Sequence, residues 1–259
     1  MGLQHGASAR RWEPSARLKG AFVRALDLIL PPQALDGGEA PQSAGLSVEA
    51  WSRIIFLDDP VCDGCGAPFE FQTGARCAAC EAEPRAFARA RAACLYDDNS
   101  SPAILQLKHA DRLDHAPLFA RWIARAAREL VAEADLIAPI PMHPTRLLAR
   151  RFNQAAEIAR PLARLCGKAY LPDALVRARA TPSQAGRSAS GRRRNVAGAF
   201  TVPSSKAHRV AGRAILLIDD VMTTGATAEA CAKALLAAGA ARVDVAVIAR
   251  VRQAANVSI

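Results

Sequence analysis

The sequence predicts an α/β protein with a mostly parallel central sheet, preceded by a small cysteine-bearing module. Three observations carry that expectation. Ile215–Thr227 reads as an apolar run, two adjacent carboxylates, a Thr/Gly loop and the start of an alanine-rich helix. Short apolar runs alternate with helical patterns from Pro117 to Val251. Two C-x-x-C pairs stand upstream of that alternation. Strands alternating with helices argue for parallel pairing through crossover helices.

The elements follow in order. Residues 1–20 are small, polar and basic, and are expected to form a disordered tail. Ala21–Leu30 has a helical pattern stopped by Pro31 and Pro32. Gln33–Gly45 is rich in Pro and Gly and reads as loop, Pro60–Pro84 holds the cysteine pairs, and Arg85–Tyr96 leads into the main domain. The expected division is therefore a tail (1–20), an N-terminal helix with a cysteine module (21–84) and an α/β domain (85–259). Within that domain Pro117–Ala132 is helical through Leu118, Trp122, Ile123, Ala126 and Leu130. Asp135–Ile140 is a short strand, and Gln154–Cys166 a helix closed by Gly167. Ala178–Arg194 is a polar, basic loop, and Ala199–Val202 a short strand. Ala214–Ile218 is apolar throughout, as a strand covered on both faces should be. Thr227–Ala238 is the helix after it, capped by Gly239, and Arg242–Val251 the last strand.

Composition narrows the function classes. An apolar content of 51% supports a real core, and 5% aromatics make that core mainly aliphatic. A net charge of +10 points to phosphate-rich partners such as nucleotides, nucleic acid or pyrophosphate, although one phosphate site by itself accounts for many cations. No stretch approaches the roughly 20 apolar residues of a membrane span. Arg24 and Asp27 interrupt Ala21–Leu30, and no small-residue cleavage pattern follows, so the expected location is the cytoplasm.

In that reducing setting the cysteines read as metal ligands. Cys62-x2-Cys65 and Cys77-x2-Cys80 are separated by eleven residues. Each pair forms a turn whose thiolates point at one ion, and two turns complete a tetrahedral four-sulfur site with no position open to water. One structural zinc is the expectation, and a redox-active pair is the alternative. Cys94, Cys166 and Cys231 lie in apolar contexts and are expected to pack in the core.

The acidic pair carries the chemistry. Asp219 and Asp220 emerge at the carboxyl end of a strand, where open α/β sheets bind ligands. Two carboxylates there accept hydrogen bonds from the hydroxyls of a ribose. Thr223, Thr224, Gly225, Ala226 and Thr227 wrap a phosphate beside the positive end of the following helix. A generic strand–turn–helix, or a degenerate non-catalytic site, is the plainer reading.

Ile215–Thr227 resembles the phosphoribosyl pyrophosphate (PRPP) motif of type I phosphoribosyltransferases. Together with the cysteine module, the whole chain resembles the ComF family of competence-associated proteins, which pair a double zinc ribbon with a type I phosphoribosyltransferase domain. Further likeness lies in Ala138–Pro144, Arg150–Gln154, Thr181–Gly186 and Arg192–Val196. The resemblance implies that Asp219 and Asp220 hold the ribose hydroxyls and that Thr223–Thr227 cradle the 5′-phosphate. It implies a pyrophosphate loop at Ala138–His143, including Pro139, Ile140, Pro141 and His143, with Arg146, Arg150 and Lys108 as its cations. Mg²⁺ would bridge pyrophosphate and ribose oxygens. His143 is either an acid/base group or a turn residue, and Arg177–Asn195 either a mobile basic hood or a solvated surface run.

Two departures stand out. Arg151 occupies a position where the family usually has Gly. The family's two upstream cysteine knuckles fall on Ala34, Gly37, Ser47 and Ala50, so one zinc is expected rather than two. Two function classes stay open. One is an enzyme transferring phosphoribosyl from PRPP to an unknown acceptor, linked to DNA uptake or nucleotide metabolism. The other is a non-catalytic competence protein that binds single-stranded DNA and uses the fold to sense a ligand, with partners in the competence machinery. Phe69 and Phe71 are the best-placed stacking aromatics of the module, with ribbon core as their alternative role.

Overall fold

A computed structural model of the chain describes residues 45–69, 74–107, 110–179, 196 and 198–252. The expected tail, the Ala21–Leu30 helix, Phe71, Lys108 and nearly all of the loop 178–194 lie outside the described residues.

In chain order the elements are α1 (Val48–Arg53), α2 (Ala78–Ala82), β1 (Ala90–Leu95), α3 (Ser101–Gln106), a 3-10 turn (Ala110–His115), α4 (Ala116–Ala126) and α5 (Arg128–Glu133). They continue as β2 (Leu136–Pro139), α6 (Pro144–Arg150), α7 (Gln154–Leu165), β3 (Ala169–Tyr170), β4 (Val176–Arg177) and β5 (Phe200–Thr201). The last four are α8 (Ser204–Val210), β6 (Ala214–Met222), α9 (Ala226–Ala237) and β7 (Arg242–Arg250).

Five strands form one sheet in the order β1-β7-β6-β2-β3, and every pairing in it is parallel. β6 lies at its centre because Ile215, Leu216, Leu217 and Ile218 are apolar on both sides and suit helices on both faces. One face carries α4 and α7, with Phe119, Ile123, Ile158 and Leu162 packed on Leu216 and Ile218. The other carries α9, with Cys231 and Leu235 on Ile215, Leu217 and Val245. Burial of each such large side chain contributes about 1.5–3 kcal/mol, so the central strand is held from both sides.

The structure departs from the expected elements in specific places. The helix expected over Pro117–Ala132 is two helices, broken at Ala127, whose φ of −116° and ψ of 29° leave the helical region. An alanine at the break carries no sequence signal. β6 runs four residues past Ile218, because β7 keeps pairing with it through Val221↔Ala249 and Met222↔Arg250. The short α1, α3, α6, α8 and β4 lack a full period of apolar residues and were not expected.

The segment before β1 joins the sheet edge. Phe56 forms an antiparallel bridge with Cys94, and the Leu57 amide donates to the Ala93 carbonyl at 2.9 Å. The cysteine turns are thereby set beside the sheet rather than on a free arm.

Candidate functional site

The four cysteines come together. Cys62 and Cys65 lie on a turn, Cys77 caps α2 and Cys80 lies within it, and their sulfurs fall within 4.8 Å of one another. The Cys65 and Cys77 sulfurs are 3.8 Å apart. A tetrahedral zinc with bonds of about 2.3 Å needs sulfur–sulfur edges of roughly 3.8 Å, so the set fits a four-thiolate ion. The Cys77 amide donates to Cys62 Sγ at 3.2 Å, as a thiolate ligand requires. A hydrogen bond from Cys65 pulls the Cys62 thiol down to about 4, and burial pushes Cys80 up to about 11.

Glycine is demanded twice in the first turn. A Cβ on Gly64 would meet Cys80 Sγ at 3.0 Å, and one on Gly66, at φ +66°, would meet the Ala90 carbonyl oxygen at 2.6 Å. Gly66 therefore lets the cysteine turn lie directly on the start of β1. Arg91 closes the contact with 2.9 Å to Asp63 and 2.7 Å to Glu129. Upstream, the cysteine-free positions have another use. Ser47 is the N-cap of α1, and its hydroxyl accepts the Ala50 amide. Ala34 and Gly37 lie outside the described residues.

The second cluster lies at the carboxyl ends of β2 and β6. These strands are neighbours with Pro139 opposite Ile218, and the Ile140 amide donates to the Ile218 carbonyl at 2.9 Å. Ile140, Pro141 and His143 thus lie next to the start of the acidic pair. His143 caps α6, its Nδ1 accepting the Thr145 amide at 3.2 Å. That is the turn-shaping role. Arg146 and Arg150 are placed on α6, whose side chains at those positions are not described.

Arg151 ends α6 at φ 65°, a left-handed residue without the freedom of glycine. Asn153 next to it caps α7 and donates from Nδ2 to the Ile140 carbonyl at 3.0 Å. The R-x-F-N-Q stretch therefore braces the loop after β2 by hydrogen bonding, with Phe152 buried behind it.

Asp219 and Asp220 remain inside the β6 ladder. Asp219 lies on the α9 face, beside Val245 and Val247, and its carboxyl interacts with that of Asp220. Among the described residues neither is held in a salt bridge. Asp219 accepts the Asp220 amide at 3.0 Å, and Asp220 accepts the Val221 amide at 2.7 Å. Burial pushes the Asp219 carboxyl well above the usual carboxylate range, and the Asp220 charge adds to it; Arg177 opposes both. A hollow of about 30 Å³ adjoins Asp219, lined also by Met222, Thr223, Gly225 and Thr227. Gly225, at φ 77°, turns the chain into α9, and Thr224 Oγ1 accepts the Ala226 amide at 3.4 Å.

Arg177 was expected only as the first residue of a hood or surface run, and Met222 was given no role of its own within the motif. Arg177 sits on a two-residue strand, too short to show a pattern, and Met222 lay beyond the predicted end of β6. Of the three remaining cysteines, Cys94 and Cys231 are fully buried and Cys166 is half-buried.

A parallel sheet whose central strand carries paired carboxylates near its carboxyl end, followed by a glycine turn into a helix, suits a phosphoribosyl transferase domain, and residues 109–258 match that domain family. The chain is 33% identical over 200 residues to DNA utilization protein YhgH of Escherichia coli (strain K12), covering 75% of this chain and 86% of that protein. It is 28% identical over 196 residues to Competence protein F of Haemophilus influenzae, covering 74% and 85%. With its four-cysteine cluster, the chain belongs to the ComF family of phosphoribosyl transferase domain proteins. Among solved structures, glutamine PRPP amidotransferase from B. subtilis, complexed with ADP and GMP, matches 56% of this chain and 30% of its own, at 18% identity and a TM-score of 0.35. No described helix is long and apolar enough to cross a membrane.

Proposed function

We propose that the protein binds PRPP with Mg²⁺ at the carboxyl edge of β6 and acts as a phosphoribosyltransferase-like protein linked to DNA uptake or nucleotide metabolism. One observation carries this reading: β6 carries Asp219 and Asp220 near its carboxyl end, and the chain then turns at Gly225 into the N-terminus of α9. The amides of Thr223–Thr227 and the positive end of the 12-residue α9 suit the 5′-phosphate. Asp219 and Asp220 accept hydrogen bonds from the ribose hydroxyls. Pro139, Ile140, Pro141 and His143 form the neighbouring loop for pyrophosphate, with Arg146, Arg150 and Lys108 as its cations. Mg²⁺, when bound, supplies neutralisation of pyrophosphate charge. The residues themselves position the ribose and stabilise charge as the leaving group departs. Cys62, Cys65, Cys77 and Cys80 hold one zinc with a structural role, because four thiolates leave no reactive position. The division at residues 84 and 85 into a metal module and a transferase-like domain belongs to this reading.

PRPP with Mg²⁺ should raise the melting temperature of the purified protein, and Asp219→Asn with Asp220→Asn should abolish that rise. A native protein whose melting temperature ignores PRPP rejects the proposal.

A second reading, a single-stranded-DNA-binding protein with weak or no catalysis, has its own support. Trp51 is 47% exposed and stands 4.9 Å from Phe56, whose ring has Arg125 at 5.2 Å. An exposed aromatic near an arginine suits an unstacked base. The names of the relatives, DNA utilization and competence, agree with it. Binding that weakens steeply with salt, and weakens further in Trp51→Ala, supports this reading; absent or salt-independent binding removes it.

A further inference from the structure

Arg250 ends β7 with its side chain buried, at 3% exposure. Its Nη1 donates to the carbonyl oxygen of Cys65, inside the metal turn. Its Nε is buried without a partner. Among the described residues no carboxylate lies within ion-pair distance of it. Arg91, the other buried arginine docking the same turn, has two such partners, Asp63 and Glu129. A buried guanidinium without a counter-charge is costly and is rarely retained. Through its contact with the Cys65 carbonyl the guanidinium lies against the cysteine cluster, whose thiolates are of opposite sign. Four thiolates around a divalent ion keep a net negative charge, so the loaded cluster supplies the missing counter-ion.

The backbone of Arg250 leads to the other site. Its carbonyl accepts the Tyr96 amide at 2.8 Å, tying β7 to the end of β1. In register it lies opposite Met222, and the next amide, Val251, donates to the Met222 carbonyl at 2.9 Å. Met222 is buried, and its sulfur lies 3.6 Å from where a Cβ on Gly225 would stand. The path from metal turn to phosphate loop thus has one charged link and one packed link.

We propose that Arg250 is the outer-sphere counter-ion of the four-cysteine metal centre, and that through it metal occupancy sets the position of the Met222–Gly225 loop. The claim rests on the reading of the cysteines as a metal site, and its test needs no PRPP. Arg250→Met removes the charge while keeping a long apolar stem; Arg250→Lys keeps the charge and loses the planar fork. Zinc affinity is read by competition with a chromogenic chelator, on the full chain. Outer-sphere partners typically alter metal affinity about 10- to 100-fold, so Arg250→Met should lose at least about tenfold and Arg250→Lys clearly less. Amide hydrogen exchange is followed in parallel. Stripping zinc from the native protein should speed exchange at Met222–Gly225, and stripping it from Arg250→Met should add little. Affinity in Arg250→Met within about twofold of native overturns the counter-ion role, since outer-sphere effects exceed that. Unchanged exchange in the stripped native protein overturns the coupling. That native measurement stands even where Arg250→Met does not fold. A PRPP failure with these outcomes intact would reject only the ligand assignment above.

Discussion

The hydroxyl of Ser47 accepts the amide of Ala50 at 3.1 Å, joining two positions where the family's upstream knuckle carries cysteine. The stretch is a capped helix: Ser47 is buried and serves an otherwise unpaired helix amide.

Two outcomes are expected from that contact. Metal analysis of purified protein should give one zinc per chain, and Cys62→Ser should remove it. Ser47→Ala should cost about 1 kcal/mol, the usual value of a side-chain N-cap, without changing metal content. A second equivalent of zinc contradicts the single-site assignment.

Asp219 should make stability depend on pH in an unusual direction. Burial and Asp220 raise its folded pKa above the ordinary 3.8, so folding favours the protonated acid. Its contribution is fully present below the unfolded pKa and is lost as pH rises through the folded value. Asp219→Asn removes the ionising group. Without ligand, this variant should melt above the native protein at about pH 8 and approach it near pH 4. A difference that does not vary with pH would show that Asp219 is solvated.

Arg151 provides a test of stored strain. A non-glycine residue in the left-handed region costs roughly 1–2 kcal/mol, and the greater freedom of glycine in the unfolded chain offsets about half of that. Arg151→Gly is therefore expected to be neutral to stabilising by about 1 kcal/mol, and Arg151→Val to destabilise by more than that. Denaturant midpoints of the two variants decide it; a clear loss in Arg151→Gly would assign the guanidinium a contact of its own.

Gly66 and Gly225 have similar positive φ but different surroundings. A Cβ at Gly225 finds its nearest atom at 3.6 Å, whereas one at Gly66 overlaps a backbone oxygen at 2.6 Å. Gly225→Ala should therefore cost only the conformational penalty, about 1 kcal/mol. Gly66→Ala should cost about 2 kcal/mol or more and loosen the metal turn from β1. Thermal melts with chelator release measured alongside separate the two; equal losses would refute the close approach at Gly66.

Much of this was legible in the residues. The uninterrupted apolar run Ile215–Ile218 marks a strand covered on both faces, the weaker pattern of Arg242–Val251 marks the last strand, and the sheet is parallel as expected. The four cysteines at C-x-x-C spacing come together as one cluster. Short elements were not legible. β4 and α6 are too brief for a hydrophobic period to emerge, and the break at Ala127 is made by packing rather than by Gly or Pro. Phe69 lies half-buried in the module, whereas the exposed aromatic is Trp51, which no local pattern singles out.

By itself the sequence determined that the four cysteines form one cluster and that an acidic pair precedes a glycine turn, because both depend on residue type at close spacing. Only the tertiary structure decided how those groups meet. Asp219 and Asp220 stay within the strand because the β6–β7 ladder continues to Met222, and ladder length is set by the partner strand. Arg250 reaches Cys65 across 185 positions of chain. A contact between distant positions follows from burial of the whole sheet edge, which no local pattern encodes.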